Sequence, residues 1–282
     1  MNVDLLLVPY DSARRGERLG AGPEHLVAAG LPAALGLAGH AVSVETIEPA
    51  AKGWRAEIGT AFALARALAD RVRAARAARR VPVVLAGNCM SSVGVVGGLG
   101  AGTGVLWLDA HADFNTPDTT VGGFLDGMAL ATVTGRCWPQ LCRGVPGFVP
   151  VPEAHAWLLG ARDLDPLEED ALRRSVVHRV PARELGAGLA ERIAANAGVA
   201  RWYVHLDLDV LDPGEGRVNV YAAADGVSRD ALQATLRALC AHLPVAALTL
   251  SAYDPAFDVD GRVREAAFGA VSAALDGLGA AE

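Results

Sequence analysis

Along the chain, short runs rich in Val and Leu alternate with longer Ala-, Leu- and Arg-rich segments in which apolar positions recur every three or four residues. The first kind reads as strands buried on both faces, the second as helices that cover them. Strands are predicted near residues 3–8, 41–47, 82–86, 104–109, 156–160, 202–208 and 245–250. Helices are predicted near 23–36, 57–79, 91–99, 126–135, 166–174, 182–197, 228–241 and 263–278. The clearest is 57–79, where Leu64, Leu68, Val72 and Ala75 mark one apolar stripe. Such alternation predicts an α/β three-layer sandwich with a mostly parallel central sheet. The stretch from Trp138 to Pro152, with four prolines and two glycines, reads as a loop over one end of that sheet.

Composition narrows the function classes. No linker divides the 282 residues, so a single domain over 1–282 is expected, and 52% hydrophobic content supplies ample core. A formal net charge of −7 argues against nucleic acid and anionic membranes as partners. The arginines Arg66, Arg71, Arg73, Arg76, Arg79 and Arg80 therefore read as a solvated helix face rather than a binding patch. No stretch approaches the roughly 20 apolar residues of a membrane helix, and Leu5 to Pro9 follows Asp4 rather than basic residues, so no leader is expected. The cysteines Cys89, Cys137, Cys142 and Cys240 form no CxxC pair, which points to a reducing cytoplasm.

The chemistry concentrates where two predicted strands end. The apolar run from Val105 leads into Asp109-Ala-His111-Ala-Asp113, and the run Trp202–Leu206 leads into Asp207-Leu-Asp209. Alternate residues of an extended segment share a face, and ligands of open α/β sheets bind beyond the carboxyl ends of strands. Four carboxylates and an imidazole should thus converge on one rim. Without cations such a group would be strongly unfavourable, because like charges raise one another's pKa. Divalent metals resolve the repulsion, and oxygen-rich ligation with imidazole suits Mn(II) or a similar ion. The bland alternative, acids that merely form turns and cap helices, fits one isolated DxD better than these two motifs together.

At these residues the chain resembles the arginase, agmatinase and formimidoylglutamase (ureohydrolase) family, in order through nearly its whole length. The Gly20-Ala-Gly-Pro23 segment resembles the family's opening segment. The resemblance implies an arginase-like fold and two Mn(II) ions, another divalent metal being compatible. Asp109 and Asp207 would bridge both ions, Asp113 would complete one site, and His111 with Asp209 the other. It further implies a small-molecule guanidino or hydroxyguanidino amino acid as substrate, and it allows a homo-oligomer. Asn115 and Thr120 match positions that hold the substrate carboxylate, although Gly122 stands where a serine is expected. Asp165 matches the position that reads the amino group, with Glu168 as supporting acid. Asp165-Pro166 followed by Glu168 and Glu169 is also a good helix start, so capping stays open for both.

Three positions depart from the family pattern. In Ala86-Gly-Asn-Cys-Met-Ser91, Cys89 stands where the first histidine ligand would sit; a thiolate there would soften the metal site, while a small buried hydrophobe is the other reading. In Phe124-Leu-Asp-Gly-Met128, Asp126 replaces the histidine that shuttles protons, a task a carboxyl with a tuned pKa can perform. In Ser251-Ala-Tyr-Asp-Pro255, Ala252 replaces the glutamate that pairs with the guanidinium, so a fully charged guanidinium should bind less well. Together they favour a less basic group. Cys89 also resembles the branch that hydrolyses N-omega-hydroxy-L-arginine to L-ornithine and hydroxyurea, and that reaction is the specific expectation. Arginase, agmatinase or formimidoylglutamase activity and a non-catalytic metal-binding scaffold remain alternatives; a histone deacetylase-like hydrolase is weaker because its ligand order differs. His25, His40, His155, His178 and His242 read as surface or packing residues. His205, two before Asp207, reads as a core residue or a support for the ligands. Tyr221 and Asn219 are expected near the pocket.

Overall fold

The computed structural model describes residues 1–50, 56–196 and 198–280. Eight strands form one sheet: β1 (Asn2–Val8), β2 (Ala41–Thr46), β3 (Val81–Ala86), β4 (Thr103–Leu108), β5 (Ala156–Leu159), β6 (His178–Val180), β7 (Arg201–Asp207) and β8 (Val245–Ser251). Their order across the sheet is β2-β1-β3-β8-β7-β4-β5-β6, and every neighbouring pair is parallel. Side chains of one strand alternate between two cores. Leu5 and Leu7 join one hydrophobic cluster while Leu6 and Val8 join the other, and Leu106 and Leu108 part from Val105 and Trp107 in the same way. Burial of both faces explains why the strands are continuous apolar runs.

The long helix Glu57–Ala77 and the helix Ser92–Leu99 pack in one cluster, the helices Arg229–His242 and Arg262–Ala280 in the other, so the sheet is the middle of three layers. Leu64, Leu68, Val72 and Ala75 are all buried, as the stripe requires. Among the described residues no helix is long and apolar enough to cross a membrane.

Differences from the sequence reading have local causes. The segment 23–36 is two helices, Gly22–Ala28 and Leu31–Leu37, because Gly30 adopts φ +104° and Pro32 cannot continue a preceding helix. The region 126–135 is a 3-10 turn, Asp126–Met128, followed by the helix Ala129–Val133. Within 182–197, a turn at Ala182–Glu184 and the helix Leu189–Ala194 are separated by Gly186 and Gly188, and the expected end at 197 lies outside the described residues. The strand β6 is three residues long, too short for a periodic signal. The proline-rich loop contains one helical turn, Pro139–Cys142.

Register positions the chemistry. Leu108 pairs with both Leu206 and Leu159, so the residues after β4 emerge beside those after β7. Asp207 pairs with Ser251, and β8 lies next to β3, which leads to Cys89. Gly87 begins that turn with backbone packed around it. A Cβ there would lie 2.3 Å from Tyr10 O and 2.8 Å from Gly20 N and Cα. We predict that Gly87→Ala destabilises the fold by about 1–3 kcal/mol in chemical denaturation, since main chain cannot yield as a side chain would. Unchanged stability would contradict this packing.

Candidate metal and substrate site

The site lies beyond the carboxyl ends of β3, β8, β7 and β4. β4 stops at Leu108, and the DAHAD segment is not extended beyond it; Asp113 takes φ +49°, a left-handed conformation that aspartate tolerates. A turn, rather than the strand alternation expected from sequence, therefore gathers these side chains. Asp109 is fixed by Trp107 Nε1 at 3.0 Å and by the backbone N–H of His111 at 2.7 Å. Asp207 accepts from the Asp209 N–H at 2.8 Å and from Cys89 Sγ at 3.2 Å. Asp209 accepts from the Ala110 N–H at 3.2 Å. Asp209 is thus tied to the backbone that follows β4 and Asp207 to the turn that follows β3, which links the acid groups of separate strands.

His111 sits between the two acid pairs, with Nδ1 3.4 Å from Asp109 Oδ1 and 3.4 Å from Asp209 Oδ2. Burial disfavours its charge, but hydrogen bonds to these two carboxylates win and raise its pKa. The same imidazolium overcomes burial at Asp209 and lowers its pKa. The other acids move up. Burial, then the charge of Asp209, raises Asp109 to about 6 and raises Asp207 as well; burial, then Asp109 and Asp126, raises Asp113. Cys89 is pushed up by burial and by Asp126. Asp113 Oδ2 is buried with no hydrogen-bond partner. An orphaned oxygen beside repelling carboxylates, a thiol and an imidazole is a donor set that fits divalent cations.

Asp126 is a buried carboxyl held at both oxygens, Oδ1 by the Met90 N–H at 2.8 Å and Oδ2 by Asn88 Nδ2 at 2.9 Å. Burial outweighs these bonds and brings its pKa to about 7. Asn88 was legible as part of a Gly-Asn turn, but its grip on a residue 38 positions away was not.

Asn115 Nδ2 donates to Asp165 Oδ2 at 3.0 Å and Asn115 Oδ1 accepts from Thr119 Oγ1 at 2.9 Å. Thr119, absent from the sequence reading, thus orients Asn115, whereas Thr120 accepts from the Gly123 N–H at 3.0 Å. Glu168 receives the Phe114 N–H at 2.8 Å and the Asp165 N–H at 3.3 Å; it closes the capping box of the helix Pro166–Arg173 and pins the DAHAD turn to it. Arg162 bonds the carbonyls of Gly160, Asp209, Leu211, Ala223 and Ala224, fastening the loop that carries Asn219 and Tyr221. Asn219 Nδ2 reaches Asp209 Oδ2 at 3.4 Å and Ala252 O at 2.9 Å.

Cys89, His111, Asp113, Asp207 and Asp209 line one open cavity of about 860 Å³ with Asn115, Thr120, Asp126, Asp165 and Glu168, while Asp109 lies beneath it as the buried neighbour of His111. Tyr221, stacked on Phe124 at 5.7 Å, forms part of the wall, and Ala252 and Gly122 leave room where larger residues would fill it. Among the described residues, no lysine or arginine lines the cavity. Among the other histidines, His178 stacks on Trp157 and His242 bonds Ala238 O, as packing residues do.

Comparison with known proteins agrees with this geometry. The chain is 30% identical over 242 residues to an arginase of Brucella melitensis, covering 76% of each. It is 36% identical over 140 residues to the N(omega)-hydroxy-L-arginine amidinohydrolase of Streptomyces lavendulae; that match covers 50% of the chain and 46% of the relative, so it spans about half of that protein's length. Among solved structures, arginase from Bacillus cereus superposes with a TM-score of 0.87 at 24% identity, covering 98% of this chain and 99% of that one. Proclavaminate amidino hydrolase from Streptomyces clavuligerus superposes with a TM-score of 0.74 at 20% identity, covering 100% and 93%. The arginase family model matches residues 1–276, and the chain belongs to the arginase family.

Proposed function

We propose that this arginase-family chain is a metal-dependent amidinohydrolase that cleaves the C–N bond of a guanidine-type group on an arginine-like amino acid, N-omega-hydroxy-L-arginine foremost, giving L-ornithine and hydroxyurea. The observation that carries the reading is a cavity walled by carboxylates, with no lysine or arginine among the described residues, whose floor holds a thiol, an imidazole and four buried aspartates. Cys89, Asp109, His111, Asp113, Asp207 and Asp209 would hold two divalent ions, Mn(II) on the family pattern. When bound, such ions lower the pKa of water from about 15.7 toward neutrality and so supply the nucleophile.

The chain's own residues supply the rest. Asp165 and Asn115, mutually oriented, receive the amino acid end together with Thr120, and Glu168 keeps Asp165 and the DAHAD turn in place. Asp126, its pKa raised by burial to about 7, is poised to take up a proton near neutral pH and hand it to the leaving amine. Ala252 offers no carboxylate to a guanidinium, which favours the less basic hydroxyguanidine. The likeness to the Streptomyces lavendulae enzyme supports the same substrate.

Three outcomes test the proposal. In a panel of arginine, hydroxyarginine, agmatine and formimidoylglutamate, hydroxyarginine is turned over fastest, and Asp165→Ala raises its KM about 10- to 100-fold, the loss of a charged hydrogen bond; preference for agmatine, with no effect of Asp165→Ala, would refute the clamp. Asp126→Asn lowers kcat by about 10²- to 10⁴-fold with KM little changed; retention of full kcat would remove Asp126 from the chemistry. The third concerns pH. Asp109 and Asp126 bind protons more tightly folded than unfolded, since their pKa rises from 3.8 to about 6 and about 7. Chelator-treated protein should therefore lose thermal stability as pH rises from about 4 to 7, and divalent metal should restore it most at the upper end, where protons no longer compete. A metal-free chain that gains stability across that range would contradict the site's electrostatics.

A further inference from the structure

One buried histidine in this region has no place in the scheme above. His205, on β7 two residues before Asp207, is fully buried and stacks on Trp107 at 3.7 Å. Its Nδ1 lies 3.1 Å from Tyr203 Oη, and Tyr203 Oη donates its single proton to Thr249 Oγ1 at 2.7 Å. The tyrosine can then only accept from the ring, so the proton of a neutral imidazole sits on Nδ1 and Nε2 is left as an acceptor. That nitrogen points toward the thiol: Ser251 Oγ is 3.4 Å from His205 Nε2 and 3.3 Å from Cys89 Sγ. Cys89 Sγ, an Asp109 carboxylate oxygen and a His205 ring nitrogen all lie within 4.8 Å of one another. The orphaned, buried Asp113 Oδ2 belongs to the same acid cluster.

We propose that His205 is a metal ligand, joining Cys89 and Asp109 in a mixed sulfur, nitrogen and oxygen site that selects a borderline-soft divalent ion such as Zn²⁺ over Mn²⁺. The imidazole absent from position 89 is thereby supplied from position 205, beneath the cavity instead of at its wall. Thiolate with imidazole is the donor pair that suits zinc, whereas the neighbouring group of Asp109, His111 and Asp209 is dominated by oxygen. The two ion positions of this chain thus differ in softness, and the Tyr203–Thr249 pair is the outer support that fixes the ring for its metal. This assignment rests on the metal-dependent reading of the site.

X-ray absorption of metal-depleted full-length protein loaded with one equivalent of Zn²⁺ tests it. The expected spectrum of the wild type and of His111→Asn contains both a sulfur and an imidazole shell. Cys89→Ser loses the sulfur, and His205→Gln loses the imidazole and weakens zinc retention against a chelator by about 10- to 100-fold. Because His111→Asn leaves the buried His205 untouched, the test survives a His205 variant that fails to fold. Sulfur without imidazole in His111→Asn, or zinc bound without sulfur in the wild type, overturns the assignment while the hydrolase reading stands. Failure of the folded chain to retain any divalent metal overturns both.

Discussion

Mutual repulsion among Asp109, Asp113, Asp207 and Asp209 is the constraint on which this molecule turns. All four are buried, and three of them are driven toward the protonated form by desolvation and by one another. Only Asp209 escapes, because His111 provides a positive charge beside it. A fold that forces acids together at a cost of this kind needs a compensating cation. The imidazolium of His111 offsets part of the charge; divalent ions would offset the rest and return His111 to a neutral donor.

The scaffold accomplishes the forcing through parallel register. β4 and β7 are neighbours although about a hundred residues separate them, and pairing of Leu108 with Leu206 sets their acid-bearing continuations side by side. Backbone N–H groups of His111, Ala110 and Asp209 then orient carboxylates from both motifs. Glu168 and Arg162 perform the same service for the turns around the rim, each tying together segments that would otherwise be independent loops. These side chains touch backbone, and their role is to keep others in place.

Much of this was legible in the sequence because strands buried on both faces are unmistakable apolar runs, and acids placed just past them mark the functional rim. DAHAD and DLD marked where the buried acids gather. What sequence could not supply was strand pairing, and with it the contacts between distant segments: Asn88 with Asp126, Cys89 with Asp207 and Ser251. The tautomer of His205 depends on Thr249, a residue 44 positions away on β8, so its accepting nitrogen is invisible to any local pattern. Short elements were missed for a different reason. Three residues of β6 show no periodicity, and Gly30 with Pro32 breaks a helix whose apolar spacing runs on without interruption.

The exchanges at positions 89, 126 and 252 lie around one cavity, and the structure gives two of them a definite setting: Cys89 is joined to Asp207 and Ser251, and Asp126 is clamped by Asn88 and Met90. They leave the acid group beneath intact. Metal stoichiometry tests that group most directly. Folded protein exposed to excess Mn²⁺ or Zn²⁺ and then freed of unbound ions should retain two ions per chain by elemental analysis, and Asp109→Asn should lose them. Folded wild-type protein that emerges empty from both metals would contradict the account at its root.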